Sequence, residues 1–280
     1  PAPSGVVDPS LIQQAVDAQT ACVLIQSPNF FGSLEDVQSI SRIAHEAGAI
    51  SCCVFDPISL ALLKRPGELD VDIAVAEGQS LGSPMLYGGP YLGIMACREA
   101  FVRRLPGRIS GQTVDRRGER CWVLTLQTRE QHIRREKATS NICTAQVLLA
   151  NIAALYAMYH GPQGLNTIAQ RVHRFSQILA SSLAAFGYTI IDEVYFDTLK
   201  IYAPGVAGKL AARARESRIN LRLIDSDHLG ITLDETTKRE NIEALWQVFR
   251  PHTAARIDIE HLDQSVTENI PPALRRNSPL

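Results

Sequence analysis

Residues 21–55 read ACVLIQSPNFFGSLEDVQSISRIAHEAGAISCCVF, with a short, wholly apolar run at 21–25 and a second, mostly apolar run at 50–55. Such runs suit strands covered on both faces, because no polar residue alternates toward water. Pro28, Asn29 and Gly32 break the first run. Ser33 can then cap a helix whose apolar stripe is Leu34, Val37, Ile40, Ile43 and Ala44, closed by Gly48. Strand, helix and strand in that order predict a βαβ unit, hence a parallel sheet with a right-handed crossover. Further along, 71–75 and 91–96 are expected as two more strands, separated by a Gly-rich stretch.

Beyond residue 138 the pattern changes. The stretch 140–160 is apolar on nearly every face, which predicts a buried helix ended by His160-Gly161-Pro162. A second helix follows, with Leu165, Ile168, Val172, Phe175, Leu179 and Phe186 on one stripe. Residues 190–194 and 199–203 are expected as antiparallel strands. Thr237 and Glu240 have the spacing of a capping box for a helix carrying Ile242, Leu245, Trp246 and Phe249. The expected class is therefore α/β: part of a large sheet domain over 1–138, a connecting helix over 139–162, and a smaller α+β domain over 163–256. From 257 to 280 the chain turns polar, ends NIPPALRRNSPL, and reads as a linker.

Composition narrows the function classes. With 280 residues, 45% hydrophobic and 20% charged, the chain can bury a core in one or two domains. Its net charge of −1 offers no global field for nucleic acid or an anionic membrane. The balance is uneven, because 98–137 holds eleven Lys/Arg against five Asp/Glu. No apolar run reaches the ~18 residues of a membrane span, and no signal peptide is visible. The chain opens Pro-Ala-Pro without an initiator Met, so an upstream region is expected. Cys22, Cys52, Cys53, Cys97, Cys121 and Cys143 lie mostly inside apolar runs, without a CxxC or a Cys/His cluster. Reduced core thiols are expected, not a disulfide framework or a metal site.

Few residues offer chemistry. Asp56 follows the run 50–55 directly, at the strand end where open α/β sheets place ligands. It could pair with a pyridinium nitrogen, or be an ordinary turn residue before Pro57. The loops 78–83 and 88–90 could cradle a phosphate with backbone N–H groups, or be plain glycine turns. Neither fits a dinucleotide or P-loop fingerprint. The lysines are Lys64, Lys137, Lys200, Lys209 and Lys238, and none stands in the Gly-rich loop. Arg129, His132, Arg134, Arg135 and Lys137 crowd just ahead of 140–160, as a solvated face or an interface. Cations at a helix front oppose its dipole, so carboxylates or phosphate are expected opposite them. No Ser/His/Asp or Cys/His set is visible.

Longer motifs carry a resemblance. QTREQHIRREKATSNICTAQVLLANIAALYAMYHGPQGL (127–165), SPNFFGSLEDV (27–37), AVAEGQSLGSPMLYGGPYLGIMA (74–96), YFDTLKI (195–201) and GITLDETTKRENIEALW (230–246) resemble the glycine decarboxylase P-protein family. The resemblance implies an aspartate-aminotransferase-like fold, the fold type I of pyridoxal-phosphate enzymes. It also implies decarboxylation of glycine, with the aminomethyl group passed to the lipoyl arm of a partner, H-protein. The family has two homologous halves, and only the second carries the cofactor lysine, in a His-Lys-Thr loop ahead of a Gly-rich stretch. Here Gly78-Gln79-Ser80 stands at that place. The chain thus resembles the first half, with Asp56 and Gln79 as remnant positions, no catalytic residue of its own, and pyridoxal phosphate held by the other half. The front of the large domain is expected outside this chain, and the tail resembles the connector into the catalytic half. Pairing with that half is implied, with Arg129, His132, Arg134, Arg135 and Lys137 as interface candidates facing it, the cofactor phosphate or an acidic H-protein. A dimer is expected, in a bacterial cytoplasm or a mitochondrial matrix. The alternative is a stand-alone, non-catalytic binding or regulatory module of the same fold.

Overall fold

The computed structural model describes residues 5–86, 88–89, 91–105, 109–125, 133, 135–138, 146–251 and 257–280. Helix α1 (Pro9–Ala15) leads into strand β1 (Cys22–Gln26), helix α2 (Val37–Glu46) and strand β2 (Ile50–Phe55). Strands β3 (Ile73–Glu77) and β4 (Gly93–Cys97) complete a sheet of order β1-β2-β3-β4. The first three strands are parallel and β4 is antiparallel. The parallel expectation therefore holds for the βαβ core, while β3 and β4 begin two residues later than the apolar pattern suggested.

Ser33 is not the cap of α2. Asp36 takes that role, its carboxylate accepting the Ser39 N–H at 3.0 Å. Ser33 is instead buried, and its hydroxyl donates to Asp192 Oδ1 at 2.5 Å across to the second lobe. The loop before it also packs on that lobe. At Gly32, with φ 103°, a Cβ would sit 2.0 Å from the Thr198 carbonyl, so only glycine fits.

One sheet face is closed by α2 through Ile25, Val37, Ile40, Cys53, Val71 and Ala74. On the other face Leu24 is 67% and Met95 43% exposed. Strands β5 (Ile109–Val114) and β6 (Arg120–Thr125) form a separate hairpin with Trp122, Val123 and Leu124 on the surface.

Helix α3 (Val147–Ala185) continues past the expected stop, but Gly161 interrupts it at φ 59°, ψ −177°, backbone that glycine takes without strain. Pro162 then sits in the first turn of the second segment, where a missing N–H costs nothing. The helix expected to be buried over 140–160 is largely exposed in its described part: Met158 is 78% and Tyr159 85% accessible. Only Leu149 and Ala153 are buried there. An all-round apolar helix needs cover on every side, and the described residues supply it on one.

The second segment of α3 faces a four-stranded sheet of order β7-β8-β10-β9, built from β7 (Thr189–Ile190), β8 (Thr198–Tyr202), β9 (Arg222–Leu223) and β10 (His228–Thr232). All its pairings are antiparallel. Helices α4 (Ala207–Glu216) and α5 (Arg239–Phe249) complete the lobe. Val172, Leu179, Leu183, Leu199, Ile201, Leu229, Ile242 and Phe249 form its core. The buried Trp246 is satisfied too, its Nε1 donating to Ser182 Oγ at 2.7 Å. The capping box expected from Thr237 and Glu240 lies one residue on: Asn241 Oδ1 accepts the Lys238 N–H at 2.8 Å, and Thr237 Oγ1 accepts the Asp234 N–H at 3.1 Å.

The segment 257–280, expected as a linker, is packed. Helix α6 (Ile259–Ser265) lays Ile259 on the small-lobe core. Ile270 is 2% exposed among Leu34, Leu63 and Phe196. The Arg276 N–H donates to Leu62 O at 2.8 Å, and the Lys64 N–H to Leu274 O at 2.9 Å. A few well-placed apolar residues outweigh a polar average. Among the described residues every cysteine is free, and no helix is long and apolar enough to cross a membrane.

Candidate functional site

A cavity of about 210 Å³ opens between the two lobes. The sheet lobe lines it with Asp56 and Ile58 after β2, and Gln79, Ser80, Ser83, Pro84 and Met85 after β3. The small lobe adds Val172, Phe196, Asp197, Leu233, Asp234, Glu235 and Thr236. Both positions singled out in the sequence thus meet in one site. They do so because β2 and β3 are parallel neighbours, so the loops at their carboxyl ends converge.

Asp56 accepts the Ser59 N–H at 2.6 Å, which fixes the turn into the 3-10 segment Ser59–Ala61. Burial pushes its carboxyl up, against the hydrogen bonds from the Ser59 and Ile58 N–H groups. Facing it, burial first and the Asp56 charge second push Asp197 up to about 7, against the Thr198 hydroxyl at 2.9 Å. Two carboxyls this close disfavour double ionisation, so the pair holds a proton near neutrality. Glu235 accepts a hydrogen bond from the Tyr156 hydroxyl on α3, and Asp234 accepts the Thr236 N–H at 2.9 Å. Asp197, Asp234 and Glu235 were not singled out in the sequence. The signal was present, since Asp197 precedes β8 and Asp234 follows β10, and Thr198 and Thr232 are paired across those strands.

Several amides of the glycine loop are spent locally: Gly78 N–H on Leu92 O at 2.6 Å, Leu81 N–H on Gly78 O and Ser83 N–H on Gln79 O, both at 3.1 Å. The Gln79 N–H lies 3.0 Å from both carboxylate oxygens of Glu77, and its side-chain amide donates to Ser83 O. Of the interface candidates, Arg129, His132 and Arg134 lie outside the described residues. Arg135 is exposed on the 3-10 turn Arg135–Lys137, which also contains the Lys137 backbone.

The family model for the glycine cleavage system P-protein matches residues 4–249. The chain belongs to that family. It is 46% identical over 267 residues to glycine dehydrogenase (decarboxylating) of Xanthomonas axonopodis pv. citri, covering 95% of this chain and 27% of that protein. The corresponding enzyme of Rhodopseudomonas palustris is 44% identical over 256 residues, 91% of this chain and 26% of that protein. The chain therefore spans about a quarter of the length of these P-protein relatives. A crystal structure of inhibitor-bound glycine decarboxylase superposes with a TM-score of 0.77 at 37% identity, over 84% of this chain and 55% of that one. A NifS-like protein matches at TM-score 0.60 and 18% identity, over 88% of this chain and 65% of that one, which shows the fold alone. That fold is aspartate-aminotransferase-like, as expected.

Enzymes of this fold hold pyridoxal phosphate on a lysine amine, and the cavity of this P-protein segment does not fit that group. An amide nitrogen at Gln79 is not a nucleophile. Among the described residues the lining carries four carboxylates and no lysine or arginine to receive a phosphate.

Proposed function

We propose that this chain is the scaffold half of a glycine dehydrogenase (decarboxylating), an enzyme that decarboxylates glycine and passes the aminomethyl group to lipoylated H-protein. Pyridoxal phosphate then belongs to the catalytic half, and this half supplies walls and an interface. The observation that carries the reading is Gln79, facing the same cavity as Asp56 where the imine-forming amine would be needed. Asp56 is a remnant on this view, its carboxyl raised by burial with no cation beside it among the described lining residues.

Pairing with the catalytic half is supported by apolar surfaces left exposed among the described residues: the outer sheet face at Leu24 and Met95, the hairpin at Trp122 and Val123, and α3 at Leu155 and Met158. Apolar areas of this kind mark interfaces or association hazards. Arg129, His132, Arg134, Arg135 and Lys137 would add charge complementarity to that contact or to H-protein. On this reading the chain divides into a sheet lobe over 1–138, a connecting stretch over 139–162 and a small lobe over 163–256, with 257–280 leading toward the catalytic half. Residence in a bacterial cytoplasm or a mitochondrial matrix follows from the same reading.

The test is borohydride reduction of the chain with pyridoxal phosphate, followed by peptide mapping. No site-specific pyridoxyl adduct is expected, and the absorbance of the bound cofactor should appear only when the catalytic half is present. A single modified lysine in this chain, at Lys137 above all, would overturn the scaffold reading.

A further inference from the structure

Asp192 lies between β7 and β8 and is 3% exposed, yet half of its carboxylate is unserved. Oδ1 accepts the Ser33 hydroxyl at 2.5 Å, and a Cβ on Gly5 would stand 2.1 Å from the same oxygen, so the sheet lobe closes that side. Oδ2 is also buried and has no hydrogen-bond partner among the described residues. Burial pushes the carboxyl up, against the Ser33 bond and the Lys200 charge. The Lys200 ammonium is spent elsewhere, 4.9 Å from the centroid of the Phe31 ring. A carboxylate stripped of water and short of a partner is costly, and a donor that reaches the unserved oxygen recovers that cost.

Asp192 also lines a groove of about 500 Å³ on the small lobe. Ala180 and Ala184 of α3, Ile190 of β7 and Val266, where the C-terminal strap leaves α6, give it apolar wall. Its charges are Asp192 and the exposed Glu193, and no lysine or arginine lines it among the described residues. The side-chain amide of Gln177, also in the lining, is already spent on Thr267 O at 2.8 Å. Gly5 and Ser33, the partners on the Oδ1 side, do not line the groove. The two oxygens of a carboxylate diverge, so Oδ2 is the one left on the groove side.

We propose that this groove binds a small primary alkylammonium ion, its N–H groups on the Asp192 carboxylate and its methylene chain against Ala180, Ala184 and Ile190. An ammonium group only donates, and the unserved oxygen only accepts. The bond is charge-assisted, which makes it stronger than one from a neutral donor. A primary amine has an ordinary pKa of about 10.4, so it carries the charge at neutral pH. The lining selects against other classes. An anion would meet two carboxylates, an alcohol brings a donor without charge, and a bare metal ion finds no set of three ligands among the described residues. Glu193, on the same wall, adds attraction through solvent. The groove shares no residue with the cavity beside Asp56, so occupancy here is independent of the scaffold reading.

The experiment titrates the 280-residue chain with n-butylammonium chloride at fixed ionic strength and follows the amide chemical shifts of Ser181, Glu193 and Thr267. Saturable shifts are expected with n-butylammonium, and none at the same concentrations of n-butanol, butyrate or potassium chloride. Asp192→Asn keeps an acceptor for the Ser33 hydroxyl and should weaken binding roughly tenfold or more. Glu193→Gln, at an exposed position, should weaken it about two- to fivefold. Ala184→Leu fills the groove without touching a carboxylate and should abolish the shifts. Ala184 is exposed on a helix that leucine suits, so this variant decides the matter even where Asp192→Asn does not fold. The proposal falls if no saturable shift appears, which leaves Oδ2 to water. It falls equally if potassium or n-butanol gives the same shifts, or if Asp192→Asn or Ala184→Leu binds as the native chain does.

Discussion

Replacing Asp197 by Asn should stabilise the chain at alkaline pH and leave it nearly unchanged in mild acid. The carboxyl is pushed up to about 7 in the fold, against about 3.9 in an unfolded chain. A raised carboxyl contributes fully below its unfolded value and loses that contribution as pH rises through the folded one. Between those limits the folded state holds a proton that the unfolded state has released, so stability falls by ~1.4 kcal/mol per pH unit. A gap of about three units would give ~4 kcal/mol, but Asp197 is only half-buried beside an open cavity, and solvent screening reduces this to about 2 kcal/mol. Asn keeps the side-chain oxygen that accepts the Thr198 hydroxyl at 2.9 Å, and the backbone bond from Leu233 to Asp197 O is untouched. Urea unfolding of both proteins at pH 5 and pH 8 measures the difference; about a third of the loss has already accrued at pH 5, so Asn should gain about 1.3 kcal/mol more at the higher pH. Because Asp56 contributes to the shift, Asp56→Asn should recover part of the gain, and the double variant should fall short of the sum. A gap between the two proteins that is independent of pH would refute the reasoning.

Three further outcomes follow from the packing and the charges. Ile270→Ala removes a side chain that is 2% exposed between strap and sheet lobe, and should cost about 2–4 kcal/mol in denaturant unfolding, where a true linker residue would cost nothing. Paired Leu155→Gln and Met158→Gln changes replace exposed apolar residues, so sedimentation should show less self-association of the chain with its melting temperature kept. Arg134→Gln with Arg135→Gln, placed in the full-length enzyme, should weaken half-to-half assembly or glycine cleavage most at low salt, where screening is least. Unchanged turnover across a salt series would reduce that run to a solvated surface.

The βαβ start, the small lobe and the family were legible in the sequence, because each is written in local pattern. Apolar runs at 21–25 and 50–55, glycine at 161 and the stripe from Ile242 to Phe249 each state their conformation within a few residues. Asp56 was legible as a position for the same reason, since it follows a strand directly, whereas Gln79 was legible only through the family resemblance. What stayed hidden depends on partners distant in the chain. Ser33 looks like a cap until Asp192, 159 residues on, takes its hydroxyl. The stretch 140–160 looks like core, but burial is decided by what covers a surface and not by the surface itself. Asp197 and Asp234 are two unremarked carboxylates until β8 and β10 pair and bring them to one cavity, where desolvation and neighbouring charge push the Asp197 carboxyl up. The tail reads as a linker by average polarity, yet Ile270 and the contact between His173 Nε2 and Glu268 Oε1, 95 residues apart, pin it to both lobes. Sequence alone determined the local conformations and the lineage; the tertiary structure decided which charges meet and which apolar faces find cover, because both are properties of pairs.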